Sequence, residues 1–184
     1  MRYKLTFLFL SAFLNLSSQT VEKFFDFQWK PCAVNEARFY SIITQTDSGY
    51  IRNYYFIHEK SLQMSGKFND LDFNVANGYF RYFHSNGILE SKGSYVNGKK
   101  NGLWLSFHNN GMMSDSTVYN LGNIIGTRLS WHPNGYISDS TTQNEDGSGV
   151  QVSWFENGSP SIARLYSAGR KQNGKWKFYH KNGA

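Results

Sequence analysis

Five segments of this 184-residue chain align with one another without gaps. They are residues 78–87 (GYFRYFHSNG), 102–111 (GLWLSFHNNG), 126–135 (GTRLSWHPNG), 149–158 (GVQVSWFENG) and 174–183 (GKWKFYHKNG). Their starts lie 24, 24, 23 and 25 residues apart. Each copy reads glycine, four residues, an aromatic, a histidine (Phe155 in the fourth copy), one variable position and Asn-Gly. A chain that repeats at so short an interval is confined to arrays in which one small unit packs on copies of itself. A degraded sixth copy occupies residues 54–77. There Phe56 to Leu62 runs parallel to Phe83 to Leu89, with Glu59-Lys60 standing where Asn-Gly should be, so a turn of another type is expected.

Within one unit the pattern is that of a β-hairpin. Asn-Gly suits the two positive-φ positions of a type I′ turn, which assigns Asn86-Gly87, Asn110-Gly111, Asn134-Gly135, Asn157-Gly158 and Asn182-Gly183 to chain reversals. Before each reversal the residues alternate. Leu103, Leu105 and Phe107 oppose Trp104, Ser106 and His108, and Val150, Val152 and Trp154 oppose Gln151, Ser153 and Phe155. Period two with one apolar face is a half-buried strand, so the aliphatic face is the one expected to pack. A second turn follows each return strand, as at Val96-Asn97-Gly98-Lys99 and Asn120-Leu121-Gly122-Asn123. Successive hairpins then pair edge to edge. The expected fold is all-β: an elongated, single-layer antiparallel β-meander of ten or more strands, its repeats starting at 78, 102, 126, 149 and 174.

Ahead of the repeats, Arg2 and Lys4 precede a largely apolar run from Leu5 to Leu16 and then small polar residues, the layout of a secretory signal peptide over residues 1–19. Its loss would take the net charge from +6 to +4 by removing Arg2 and Lys4. Residues 20–53 are expected to cap the first sheet edge, with a hairpin around Thr46-Asp47-Ser48-Gly49. Cys32 has no second cysteine to pair with and reads as a small packed residue.

Chemistry-bearing residues recur with the repeat instead of forming a unique constellation. His84, His108, His132 and His180 share one position. Equivalent positions two strands apart are roughly 9–10 Å from each other, too far to share a metal, so these rings read as turn-adjacent groups bonded to backbone or packed on aromatics. Ser114-Asp115-Ser116 and Ser138-Asp139-Ser140 read as solvent-side strand residues. Without a Gly-x-Ser-x-Gly elbow or a phosphate-cradling loop before a helix, neither an enzyme nor a bound cofactor is expected. The candidate binding surface comprises Trp104, Trp131, Trp154 and Trp176 with Lys171, Lys175 and Lys177, the first and last tryptophans lying on one face and the middle two on the other.

The motif Gly-x-x-x-x-aromatic-His-x-Asn-Gly, together with Tyr95-Val96-Asn97-Gly98-Lys99, resembles the variant MORN repeats of bacterial YwqK-type proteins, a family filed as antitoxins of toxin–antitoxin systems, and in particular secreted Bacteroidetes forms. The resemblance covers residues 54–183. It implies a non-catalytic protein-interaction platform with an antitoxin-like role toward an exported partner. A scaffold binding anionic lipid headgroups or envelope polysaccharide is the alternative; nucleic acid is not an expected partner. The leader implies export to the periplasm or beyond, without the placement of a lipoprotein cysteine. The fifth copy reaches Ala184 without the return strand its predecessors have, so the array is expected to be incomplete.

Overall fold

The computed structural model describes residues 21–72, 74–172 and 176–182. The expected leader lies outside them, as do Gly174, Lys175 and Gly183. The described residues form one antiparallel sheet in which each strand from β2 to β13 pairs with its predecessor. The strands are β1 (Val21–Phe25), β2 (Phe39–Thr46), β3 (Gly49–Phe56), β4 (Leu62–Phe68), β5 (Ala76–Phe83), β6 (Leu89–Val96) and β7 (Lys99–Phe107). They continue as β8 (Met113–Asn120), β9 (Asn123–Trp131), β10 (Ile137–Gln143), β11 (Gly149–Trp154), β12 (Pro160–Ser167), β13 (Lys171–Gln172) and β14 (Lys177–Phe178). β13 and β14 both pair with β12, at Tyr166–Ser167 and at Ile162–Ala163. The meander is therefore as expected. The N-terminal segment contributes β1, β2 and most of β3 to the same sheet, with Thr46 facing Gly49 across the expected reversal.

Two kinds of turn alternate, and the described Asn-Gly reversals of the motif are not the type I′ turns expected of them; that type occurs at the second set of turns instead. At Asn97-Gly98 and Leu121-Gly122 both residues have positive φ (47° and 76°, 46° and 95°), and the two-residue loops are of type I′. At the motif's own Asn-Gly reversals only the glycine does, at 81° for Gly87, 85° for Gly111, 87° for Gly135 and 81° for Gly158. There the Gly87 N–H donates to His84 O at 2.9 Å and the His84 N–H to Ile88 O at 2.9 Å. That is a three-residue loop closed by a left-handed glycine, and the adjoining register shifts, as between Tyr82 and Phe83. The asparagine stays out of the left-handed region because its carboxamide serves the turn: Asn86 Oδ1 accepts from the Ile88 N–H at 3.1 Å. In the degraded copy Lys60 carries the positive φ, 53°.

The larger difference lies in which face is covered. The buried side chains of the strands, among them Ser41, Ile43, Arg52, Met64, Phe68, Phe80, Trp104 and Thr117, all lie on the face that bears Trp104. The aliphatic face expected to pack is the open one, with Leu103 53% and Leu165 50% exposed. The reason is the size and posture of the rings. Phe80 lies across Gly66 and Trp104 across Gly93, where an added Cβ would stand 2.1 Å and 2.3 Å from the ring atoms. Laid flat over a residue with no side chain, each ring covers its own sheet, and Tyr95 meets both rings edge-on at centroid distances of 4.9 and 5.0 Å. No second layer is needed on that side. Alternation shows that the two faces differ but is silent on which is covered.

At the N-terminal end the same face is closed by the loop after β1. Trp29 (φ 61°) stacks on Phe39 at 4.2 Å and meets Tyr54 edge-on at 5.1 Å. Arg52 lies beneath, its guanidinium 4.5 Å from the Tyr54 ring centroid. Burial pulls the Arg52 guanidinium below its ordinary value and pushes the Tyr54, Tyr82 and Tyr119 phenols above theirs. Tyr82 is shifted furthest, with the Tyr95 phenol and Glu90 adding to the effect of burial.

Two measurements check this packing. Gly93→Ala forces its Cβ into the Trp104 indole and is expected to lower unfolding free energy by about 1–3 kcal/mol in a urea titration. The phenols bind their protons more tightly when folded than when unfolded. Their contribution to stability is thus complete below the ordinary value of 10.0 and is lost as pH rises beyond it. Lys100, lowered by burial, works in the opposite sense. The urea midpoint is expected to fall above about pH 10, and Tyr82→Phe to flatten that fall.

Candidate functional site

The repeated turn residues form a ladder from one repeat to the next. His84 Nε2 donates to Phe107 O at 3.0 Å, His108 Nε2 to Trp131 O at 2.8 Å and His132 Nε2 to Trp154 O at 2.9 Å. Since a carbonyl can only accept, Nε2 carries the proton in each ring. Beside it, the carboxamide nitrogens of Asn86, Asn110, Asn134 and Asn157 donate to Asn109 O, Pro133 O, Glu156 O and Lys181 O, at 2.7–3.2 Å. In the degraded copy Ser61 Oγ takes that role toward Ser85 O. The Phe155 ring has no N–H to donate, and the outermost histidine, His180, is exposed. The histidine and asparagine of the motif thus hold adjacent hairpin ends together.

The proposed tryptophan surface is dispersed. Trp104 is buried, 4% exposed, with Nε1 donating to Ser94 O at 3.0 Å. Trp176 repeats that bond to Leu165 O at 3.0 Å and meets Tyr166 edge-on. Trp131 and Trp154 are half-buried at strand ends, and their carbonyls receive the histidine bonds. Of the candidate lysines, Lys177 is exposed on β14, while Lys175 and the Lys171 side chain lie outside what the structure describes. Several other cations rest on rings: Lys100 lies 4.2 Å from the Trp104 centroid and Arg164 5.0 Å from that of Trp176.

Asp115 and Asp139 face the packed side, which corrects the expectation of solvent-side carboxylates. Asp115 accepts from Thr117 Oγ1 at 2.6 Å, from Arg128 Nε at 2.6 Å and from Ser130 Oγ at 3.1 Å. That carboxylate raises the Arg128 guanidinium further above its ordinary value. Asp139 repeats the arrangement with Thr141, Gln151 and Ser153. Sequence spacing alone hid this, because the alternation was read with the covered face reversed. Around the second network lies a groove of about 470 Å³, with Arg128, Asp139, Thr141, Gln151 and Tyr166 among its walls.

On the opposite face the aliphatic side chains line up across strands. Leu103 pairs with Val118 and Val118 with Ile125, while Val150 pairs with Leu165, and all five are exposed. Thr127 and Thr142, hydroxyl to hydroxyl at 2.7 Å, join the two groups. A parallel row runs Leu105, Ser116, Leu129, Ser140, Val152, Ala163 in unbroken register. From β7 to β12 this surface is about 24 Å wide.

Residues 76–97 and 172–184 match the MORN repeat variant. No curated protein matches the chain. MORN-type repeats are therefore present, in an all-β setting that is typically non-enzymatic.

The ladder can be tested by giving the second copy the fourth copy's residue. His108→Phe leaves Trp131 O without its ring donor and is expected to lower unfolding free energy by about 1 kcal/mol, read in a urea titration beside the native chain.

Proposed function

We propose that this chain is a non-catalytic docking platform that uses its open aliphatic face to hold a protein partner. The observation carrying this reading is the apolar surface from Leu103 to Leu165, presented by six consecutive strands with no covering layer among the described residues. Contiguous exposed apolar area is costly in water and marks a surface meant to be covered. The flatness of a sheet suits a broad partner more than a small ligand. MORN repeats are commonly protein or membrane-lipid interaction modules, in keeping with this use.

The repeated histidine and carboxylate side chains have structural employment: His108 is bonded to Trp131 O, and Asp115 to Arg128, Thr117 and Ser130. Two of the cations, Lys100 and Arg164, are laid over rings of the packed face. The row from Leu103 to Leu165 is itself aliphatic and hydroxyl-bearing, which favours a protein surface over anionic headgroups as its partner. By its sequence resemblance the role is antitoxin-like, and by its leader the encounter takes place in the periplasm or outside the cell.

A photo-crosslinking residue placed at Val118 in cells expressing the chain is expected to yield one discrete protein adduct. Leu103→Glu with Leu165→Glu should abolish that adduct while far-UV circular dichroism stays unchanged. Crosslinks to lipid alone, or an adduct indifferent to the two glutamates, would refute the assignment.

A further inference from the structure

The groove on the packed face has a definite origin in the repeat. Where the residue beneath is glycine, a ring lies over it: Phe80 over Gly66 and Trp104 over Gly93. The next two copies carry Thr117 and Thr141 at that place, and the residues that follow on β9 and β11 are Arg128 and Gln151. A β-branched side chain denies a ring its flat seat, whereas narrower chains can pass beside it. The return-strand column changes in step, running Tyr95, Tyr119, Gln143, Tyr166. Over β9 to β11 the aromatic layer is therefore missing. It resumes with Tyr166 and Trp176, whose centroids are 5.4 Å apart.

We propose that this gap is a binding site for a neutral, unbranched hexose oligosaccharide. The inference goes beyond the docking platform, because it concerns the opposite face of the sheet. Three observations carry it. The floor is a fixed polar network: Asp139 Oδ2 accepts from Gln151 Nε2 at 2.9 Å and from Ser153 Oγ at 2.7 Å, while its Oδ1 accepts from Thr141 Oγ1 at 2.5 Å. A carboxylate has capacity for a fourth donor, such as a sugar hydroxyl. Arg128 spends Nε on Asp115 and has further N–H donors to offer. Donors and acceptors held in place beforehand lose little freedom on binding.

The second observation is charge. Arg128 and Asp139 are the charged residues of the lining, and Asp115 beside Arg128 leaves no positive surplus to attract phosphate or uronate. The third is the aromatic wall. Tyr166 borders the groove and presents an apolar ring with a polar tip, which suits a ligand whose C–H faces alternate with hydroxyls. A volume of about 470 Å³ falls in the range of small-molecule sites.

Isothermal titration with maltohexaose, cellohexaose and laminarihexaose, and with hexagalacturonate as the charged comparison, tests the proposal. At least one neutral hexaose is expected to bind, and to bind more tightly than the uronate. The double variant Thr141→Gly with Gln151→Trp installs the Gly93–Trp104 pair in the gap. It should keep the circular dichroism spectrum and weaken binding about tenfold or more. Should that variant misfold, Gln151→Ala must weaken binding by about fivefold or more instead. Leu103→Glu, on the other face, should leave the titration unchanged, so failure of the docking platform would be seen separately. Heat from none of the three neutral hexaoses at millimolar concentration overturns the site, as does equal binding of the uronate or undiminished binding by a folded filled-groove variant.

Discussion

An indole or phenyl ring lying flat across a residue with no Cβ is the contact on which this sheet depends. Among the described residues, two single-turn 3-10 segments apart, there is no helix and no second sheet to cover the meander, so each copy must be roofed by its neighbour. Phe80 over Gly66 and Trp104 over Gly93 supply that roof, with Phe68 and Tyr95 closing on Phe80 edge-on at 5.1 and 4.9 Å. The hydrophobic effect acts here within one face, between successive strands, instead of between layers. That is why the core is a stripe along the sheet and why its composition is aromatic.

The ends of the hairpins are secured by a different force. Histidine and asparagine side chains cross from each turn to the backbone of the next, one repeat away. Every such bond joins nearest neighbours only, as expected of a quasi-one-dimensional array in which stability is the sum of unit and interface terms. The motif histidine is consequently a structural donor, and its recurrence is explained by the recurrence of the interface. The fourth copy, with Phe155, keeps the turn and the asparagine bond to Lys181 O while giving up the ring donor.

These two devices divide the surface between them. One face is consumed by roofing and by the Asp115 and Asp139 networks, and the other is released as an open aliphatic field. Where Thr117 and Thr141 replace the seating glycines, the roof itself is interrupted and a polar groove opens. Both proposed binding surfaces thus lie where a repeat is either uncovered or imperfect.

Much of this was legible in the linear order of residues. The interval between Asn-Gly pairs, the alternation between them and the second set of turns were enough to dictate an antiparallel meander, because a left-handed glycine and a period of two leave a chain few other choices. The opposed placement of Trp104 and Trp176 against Trp131 and Trp154 followed from the same count. What alternation could not decide is which side is covered, since Leu103 and Trp104 are both apolar and only the seat offered by Gly93, on a different strand, resolves the competition. Nor could it reveal that Asn86 stays outside the left-handed region, that Asp115 meets Arg128, or that Thr141 and Gln151 frame a gap. The first is set by a carboxamide hydrogen bond inside the turn; the other two are contacts between strands, and register across strands exists only once the sheet has formed.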